Sequence, residues 1–397
     1  MGNLFSKRSV EDEVKEALQN NDEALAAAKI QEYLDEEKSI PLNIAVTGES
    51  GSGKSTFVNA IRGVDDDDER AAPTGTEETT TEVTSYPHPN FPNVTVWDLP
   101  GIGTVKFPAA KYLKLVGFEK FDLFIIVSSE RFRENDVKLA KEIQKMKKKF
   151  YFVRSKIDND IRQEKKKKKN DFNEDRTLGR IREYCIQGLQ RLDFESPQVF
   201  LVSSCELHLY DFPKLLRTLE EELPELKRDA FLIAMPNISL EMIDKKKKAF
   251  KSKIKYVATL SAAVAAVPVP GLSIAVDLSL LVGAVTRYVF GFGLNTSSLK
   301  RMSNYTGVPY EELRNVIVSP LAAEKITPDL VMKILIQTAS IAALMAAEEA
   351  SRFIPILGIL ASMALSFTAT YKALNIFLDK LAEDAQRVLQ KALGWNT

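Results

Sequence analysis

The chain has 397 residues, 45% of them hydrophobic, with 54 Lys and Arg balancing 54 Asp and Glu. That length admits roughly two or three domains with a sizeable core, and the charge balance leaves no net field to draw in nucleic acid. Two cysteines, Cys185 and Cys205, and two histidines, His88 and His208, exclude a disulfide framework and a Cys/His metal centre, and they suit a reducing compartment.

The N-terminus shows no charged segment followed by an apolar one, so a secreted protein is not expected. Met1-Gly2-Asn3-Leu4-Phe5-Ser6 instead fits the pattern for myristoylation of Gly2. One such chain binds membranes weakly and reversibly, so a second membrane signal is expected. From Val14 to Leu34, apolar residues recur at three- and four-residue steps, which predicts one or two amphipathic helices ended by Pro41.

The apolar runs Leu42–Thr47, Val94–Trp97, Leu123–Ser128, Phe150–Arg154 and Val199–Val202 read as buried strands. They alternate with helical patterns such as Asp136–Lys149 and Asp175–Leu192. This alternation predicts a mostly parallel sheet with helices on both faces over residues 40–224.

Directly after the first strand comes Gly48-Glu49-Ser50-Gly51-Ser52-Gly53-Lys54-Ser55, then Thr56 and the apolar-periodic Phe57, Val58, Ala60 and Ile61. Strand, glycine-rich loop and helix start are the context a P-loop requires. Its backbone N–H groups can cradle phosphates, Lys54 can reach the β- and γ-phosphates, and the Ser55 hydroxyl can ligate Mg²⁺. Pro73-Thr74-Gly75-Thr76-Glu77-Glu78-Thr79-Thr80 occupies the place of a first switch loop, where Thr74, Thr79 or Thr80 can close on Mg²⁺ and the γ-phosphate.

The strand at Val94 runs into Asp98-Leu99-Pro100-Gly101, a D-x-x-G in which Asp98 serves Mg²⁺ and the Gly101 N–H faces the γ-phosphate. Ile102 follows, and isoleucine cannot orient an attacking water. Catalytic help is therefore expected from Glu77 or Glu78, from a partner, or from a second copy. Ser155-Lys156-Ile157-Asp158 selects the base: a carboxylate accepts from guanine N1–H and the N2 amine, which adenine cannot match. The Lys156 stem can lie along the base, and Ser203-Ser204-Cys205 can offer a backbone N–H to guanine O6. The ligands expected are GTP, GDP and Mg²⁺.

Beyond Pro224 the strand signals vanish, and residues 225–397 read as helices: Leu240–Val267, Gly271–Phe290, Ser297–Tyr305, Pro309–Val316, Pro328–Met345, Ile356–Ala373 and Leu374–Leu393. Residues 1–39 are expected to pack on them. Val257–Leu281 and Ala339–Tyr371 are strongly apolar but broken by prolines and charges, which favours bundle helices or membrane-inserting elements over spans. Lys165–Lys169 reads as solvated charge on a loop, and Lys245–Lys248 as charge on a helix start. Both could meet anionic headgroups. Without interleaved aromatics, neither suits nucleic acid.

The motifs G-E-S-G-S-G-K-S, W-D-L-P-G-I-G-T and F-Y-F-V-R-S-K-I-D, with H-P-N-F-P-N-V-T between the first two, resemble those of the immunity-related GTPases, the interferon-inducible family of vertebrates. The resemblance is close from Ile40 to Leu223 and looser at both ends, and Lys54 places the chain with the members that keep lysine in the P-loop. It implies an α/β plus all-α architecture, with a Ras-like GTPase domain inset in a helical domain formed by both chain ends. It further implies GTP-driven oligomerisation, with hydrolysis activated across the nucleotide face by a switch-loop glutamate that falls at Glu78. The family's two switch threonines fall at Thr74 and Thr80. Implied partners are a second copy, regulatory GTPases of the same family, and endomembranes or vacuolar membranes. The implied location is cytoplasmic, peripheral on the endoplasmic reticulum, the Golgi or a pathogen-containing vacuole. The alternative is a constitutive, nucleotide-gated membrane scaffold with little hydrolysis.

Overall fold

In a computed structural model, residues 10–20, 22–75, 83–100, 116–130, 132, 134–265, 272–322, 325–345 and 367–395 are described. The chain divides into two compact units: 40–239 with 304–307, and the remainder from both ends.

The first unit is built on a six-stranded sheet: β1 (Leu42–Gly48), β2 (Thr84–Pro87), β3 (Val94–Asp98), β4 (Leu123–Ser128), β5 (Lys149–Arg154) and β6 (Val199–Leu201). The order is β2-β3-β1-β4-β5-β6, parallel except for β2, which runs antiparallel to β3. β1 and β4 are buried almost throughout because helices cover both faces, which is why their sequences are nearly continuous apolar runs. β2 was not expected. It is four residues long, largely exposed and ends in Pro87, all features of an edge strand with a weak apolar signature.

Phenylalanines fill one face of the sheet. Phe152 packs on Phe132 and Phe194 with ring centroids 4.8 and 5.4 Å away, and Phe121 packs edge-on to Phe124 at 5.4 Å. The helices of this unit are α3 (Lys54–Arg62), α4 (Glu134–Lys145), α5 (Ile157–Lys168), α6 (Glu174–Gln190), α7 (Phe212–Glu221) and α8 (Glu225–Ala234). Two expectations change here. The lysine run beginning at Lys165 is the last turn of helix α5, where cations complement the negative end of the helix dipole, and not a loop. The sheet unit also extends past Pro224: α8 buries Phe231, Leu232 and Ile233 against β1 and β3, and Lys227 binds Asp122 at 2.6 Å. Asp122 in turn accepts from the Asn43 amide, so α8 is anchored to the start of β1.

The second unit contains α1 (Val10–Gln19), α2 (Glu23–Ser39), α9 (Leu240–Ala265), α10 (Leu272–Gly291), α11 (Thr296–Thr306), α12 (Tyr310–Asn315), α13 (Pro328–Met345) and α14 (Phe367–Leu393). α11 runs from this unit into residues grouped with the sheet unit. Val14, Ala17, Ala26, Ile30 and Leu34 form one apolar cluster with Leu260, so the N-terminal helices share a core with α9. Arg287 pairs with buried Glu37 at 3.2 Å. α14 is continuous through residues 373 and 374, where two helices were expected, because its apolar face packs along α9 without a break. Fully buried Asp384 accepts from the Val318 and Ser319 amides at 2.8 and 2.9 Å.

The second lysine run also differs from expectation. Lys246 is 1% exposed, and its Nζ donates to the Gly291 carbonyl at the end of α10, 2.6 Å away. Lys245 and Lys247 pair with Glu241 and Asp379. This run is bound into the bundle and does not form an exposed patch. Among the described residues, Leu278–Thr306 has the length and mean hydropathy, 1.3, of a membrane span, but 39% of its apolar window is buried. Gly293, with φ 61°, breaks it into α10 and α11.

Burial pushes the Lys246 ammonium down to about 7 from the ordinary 10.5. The unfolded chain keeps that proton until higher pH, so between the two values it binds more protons than the folded chain, and stability rises with pH. Thermal melts from about pH 7 to pH 9 should show wild-type stability climbing relative to Lys246→Met. Parallel curves for the two proteins would refute the burial of this charge.

Candidate functional site

β1 leaves the sheet at Gly48, whose φ is 143°. A Cβ there would lie 2.0 Å from the Val127 carbonyl oxygen of β4, so only glycine lets the loop start this close to the neighbouring strand. Gly51 and Gly53 also have positive φ, 74° and 86°. Gly53 caps α3 with no side-chain hydrogen bond, which leaves the first amides of that helix directed at the loop. Such a terminus is an anion site. Ser52 Oγ is buried in the same loop with no hydrogen-bond partner, a polar atom that a phosphate oxygen would satisfy.

Lys54 and Ser55 open α3. Lys54 is buried, with its Nζ donating to the Glu49 carbonyl at 2.9 Å, so the ammonium lies across the loop it must serve. Ser55 Oγ donates to Asp98 Oδ2 at 2.8 Å. A hydroxyl at the start of α3 and a buried carboxylate at the end of β3 thus converge, 43 residues apart in the chain. This oxygen donor set fits Mg²⁺, with Ser55 as a direct ligand and Asp98 behind it. Glu49, Ser50 and Thr56 complete the loop and the first helical turn.

On the other side of β1, Ser155 follows directly on the last residue of β5. Its Oγ donates to the Ser52 carbonyl at 2.6 Å. Lys156, with φ 59°, sends its Nζ to the Gly51 carbonyl at 2.8 Å. The loop after β5 is therefore tied twice to the glycine-rich loop after β1, and the Lys156 stem lies close enough that a Cβ on Gly53 would meet its Cε at 3.5 Å. Asp158, in the first turn of α5, is buried and holds the largely exposed Arg162 one turn later. Ser203 is buried, and its Oγ accepts from the Cys205 and Glu206 amides at 3.2 and 3.1 Å. Ser203 thereby closes a turn just after β6, within the Ser203-Ser204-Cys205 stretch.

Residues 7–392 match the model of the interferon-inducible GTPase family. Over 98% of its length the chain is 40% identical to interferon-inducible GTPase 5 of Rattus norvegicus, covering 84% of that protein. It belongs to the interferon-inducible GTPase family. It is also 38% identical to interferon-gamma-inducible GTPase 10 of Mus musculus, over 98% of this chain and 90% of that one. A crystal structure of Aquifex aeolicus Era with GDP and aluminium fluoride overlays 46% of this chain and 57% of its own, at 20% identity and a TM-score of 0.31.

Within this GTPase, Thr74 is exposed at the start of the switch loop. Gly2, Glu77, Glu78, Thr79, Thr80, Gly101 and Ile102 lie outside the described residues. The structure adds two residues that the sequence pattern concealed within an apolar helix. Asn59 of α3 bonds the Ala72 backbone with both ends of its amide, at 2.7 and 2.9 Å. Arg62, a turn later, donates to the Arg70 and Pro87 carbonyls. Together they fix the entry to the switch loop on the helix that carries Lys54 and Ser55. Only the amide and guanidinium at positions otherwise suited to a core could have signalled this.

The largely exposed Arg162 brings one donor nitrogen to the Asp158 carboxylate, whereas guanine offers it two, and each hydrogen bond to a charged group is worth about 1.5–3 kcal/mol. Guanine should therefore displace Arg162 from Asp158. Arg162→Ala is expected to change GDP affinity by no more than about twofold, and Asp158→Asn to weaken it by more than about tenfold, as read by calorimetry. A larger effect from Arg162→Ala than from Asp158→Asn would reverse the assignment.

Proposed function

We infer that this protein hydrolyses GTP to GDP and phosphate with Mg²⁺, at a site completed by a second copy of the chain. The observation that carries this reading is the meeting of Ser55 and Asp98 beside Lys54, with Asp158 held on the same rim by the Ser155 and Lys156 ties. In this reading Lys54, Ser52 and the uncapped amides of α3 hold the phosphates, and Asp158 reads guanine. Ser55, with Asp98 behind it and Thr80 or Thr74 from the switch loop, would hold Mg²⁺, which would supply charge neutralisation at the phosphates. Water attacks the γ-phosphorus, the bond to the β–γ bridging oxygen breaks, and that oxygen leaves on GDP. The Gly101 N–H is assigned to the γ-phosphate.

Position 102 carries isoleucine, so the residue after Gly101 cannot orient the water. Glu78, from its own switch loop with a second molecule across the nucleotide face, is the residue proposed to complete the site. The specific rate should then rise with protein concentration. Lys54→Ala should abolish both turnover and nucleotide-driven assembly. A flat, negligible rate with intact GTP binding would favour the other reading that Ile102 permits, a nucleotide-gated scaffold.

The relatives named as interferon-inducible support a part in cell-autonomous immune defence, with family GTPases as regulators. Gly2, if myristoylated, supplies the weak membrane hold, and assembly multiplies it: several chains in one oligomer turn later insertions into intramolecular events. The proposed place of action is the cytoplasmic face of endomembranes, including the endoplasmic reticulum, the Golgi and pathogen-containing vacuoles. Gly2→Ala should move the protein to the soluble fraction of cells. An unchanged distribution would remove the lipid from the account.

A further inference from the structure

The loop after β5 turns into α5 at a cost. Lys156 has φ 59°, in the left-handed region that an L side chain enters only against steric resistance. It also stands at the N-terminus of α5 with no side-chain hydrogen bond to cap the helix. The buried side chains of α5 are Ile157, Asp158 and Ile161, so apolar packing gives this charge-rich helix little hold on the sheet. Yet Asp158, the second residue of the helix, is the carboxylate assigned to guanine, and two hydrogen bonds to one base edge tolerate little tilt.

A bridge made by Arg154 and Asp160 encloses that turn. Arg154, the last residue of β5, is only 6% exposed. Its Nη1 donates to the Ser155 carbonyl at 2.6 Å, and its Nη2 donates to Asp160 Oδ2 at 2.5 Å. Asp160, in the first turn of α5, also donates its amide to the Lys156 carbonyl at 3.3 Å. Because the guanidinium is a rigid planar fork, it sets the Ser155 peptide and the first turn of α5 at a fixed angle to each other. The Arg154 carbonyl accepts from the Val202 amide at 2.8 Å, and the Val202 carbonyl accepts from the Ile157 amide at 3.2 Å. One end of the bridge is thus held by β5 and the chain just after β6, and the other reaches the helix two residues beyond Asp158. Neither Arg154 nor Asp160 belongs to Ser155-Lys156-Ile157-Asp158 itself.

We propose, on the reading that Asp158 accepts from guanine, that Arg154 and Asp160 are positioning residues for base selection: their bridge holds the Asp158 carboxylate at the angle that lets it accept from both N1–H and the N2 amine. A carboxylate that tilts keeps one hydrogen bond more easily than two, so loosening the bridge removes the second contact first. The loss falls on discrimination among purines before it falls on nucleotide binding as such, because the phosphates are held by the loop after β1.

Calorimetry of the full chain with GDP and with inosine diphosphate, which is GDP without the N2 amine, reads that contact directly. Wild type should prefer GDP by roughly tenfold or more, the worth of one hydrogen bond to a charged group. Arg154→Met should lower the preference at least about fivefold, and Asp160→Asn, at a side chain 30% exposed, at least about threefold. Should Arg154→Met bind neither nucleotide, Asp160→Asn decides alone. The double variant should lose no more preference than Arg154→Met, since both changes break one bridge, and additive losses would overturn the proposal. A merely structural role would weaken both diphosphates in proportion and leave the preference at its wild-type value, which would overturn it too. So would equal affinity of wild type for the two diphosphates. Asp158→Asn should abolish the preference. A preference that survives Asp158→Asn refutes the guanine reading and the proposal together, whereas one that vanishes there but persists in Arg154→Met and Asp160→Asn refutes the proposal alone.

Discussion

The close passage of Gly48 beneath the Val127 carbonyl is the constraint on which the nucleotide end of this protein rests. With 2.0 Å available to a Cβ, the backbone alone can turn there, and the turn sends the chain directly into the phosphate loop and α3. Because β1 lies between β3 and β4, the loop emerges where connections diverge to either side of the sheet, the crevice in which open α/β sheets place ligands. Asp98 arrives from β3 on one side and Ser155 to Asp158 from β5 on the other. Moving β1 by one residue would turn every side chain to the opposite face and separate Ser55 from Asp98.

Around that turn, each functional group is held by a neighbour that does no chemistry. Ser155 and Lys156 hold the carbonyls of the phosphate loop, Ser203 closes the loop after β6, and Asn59 and Arg62 hold the entry to the switch loop. The ties join segments up to 105 residues apart. The ties thus join the phosphate loop to the loop after β5, and the helix it opens to the entry of the switch loop. The helical unit is organised differently, with α9 and α14 as long packed helices. Among the described residues, the charges in its core are bonded, as with Asp384 on two amides and Lys246 on a helix-end carbonyl.

The strands were legible because buried parallel strands need unbroken apolar runs, and Leu42–Gly48 and Leu123–Ser128 have them. β2 was not legible, since an exposed edge ending in proline leaves no such run. α5 was hidden because its sequence is dominated by charge: its apolar face is only Ile157 and Ile161, with buried Asp158 between them. Lys245–Lys248 misled in the other direction. Four successive lysines look uniformly solvated, yet helix geometry points one of them inward.

Local sequence determined the phosphate loop, the D-x-x-G and the S-K-I-D, because each is a short stretch whose chemistry depends on backbone conformation and residue type within a few positions. Membership of the interferon-inducible GTPases follows from those motifs and from similarity along the whole chain. Tertiary structure alone decided which hydroxyl meets which carboxylate, that α8 belongs with the sheet, and which lysine of a run is buried. Those outcomes depend on contacts between residues tens of positions apart. No spacing along the chain encodes them, because they exist only after β1, β3, β4 and β5 are laid side by side.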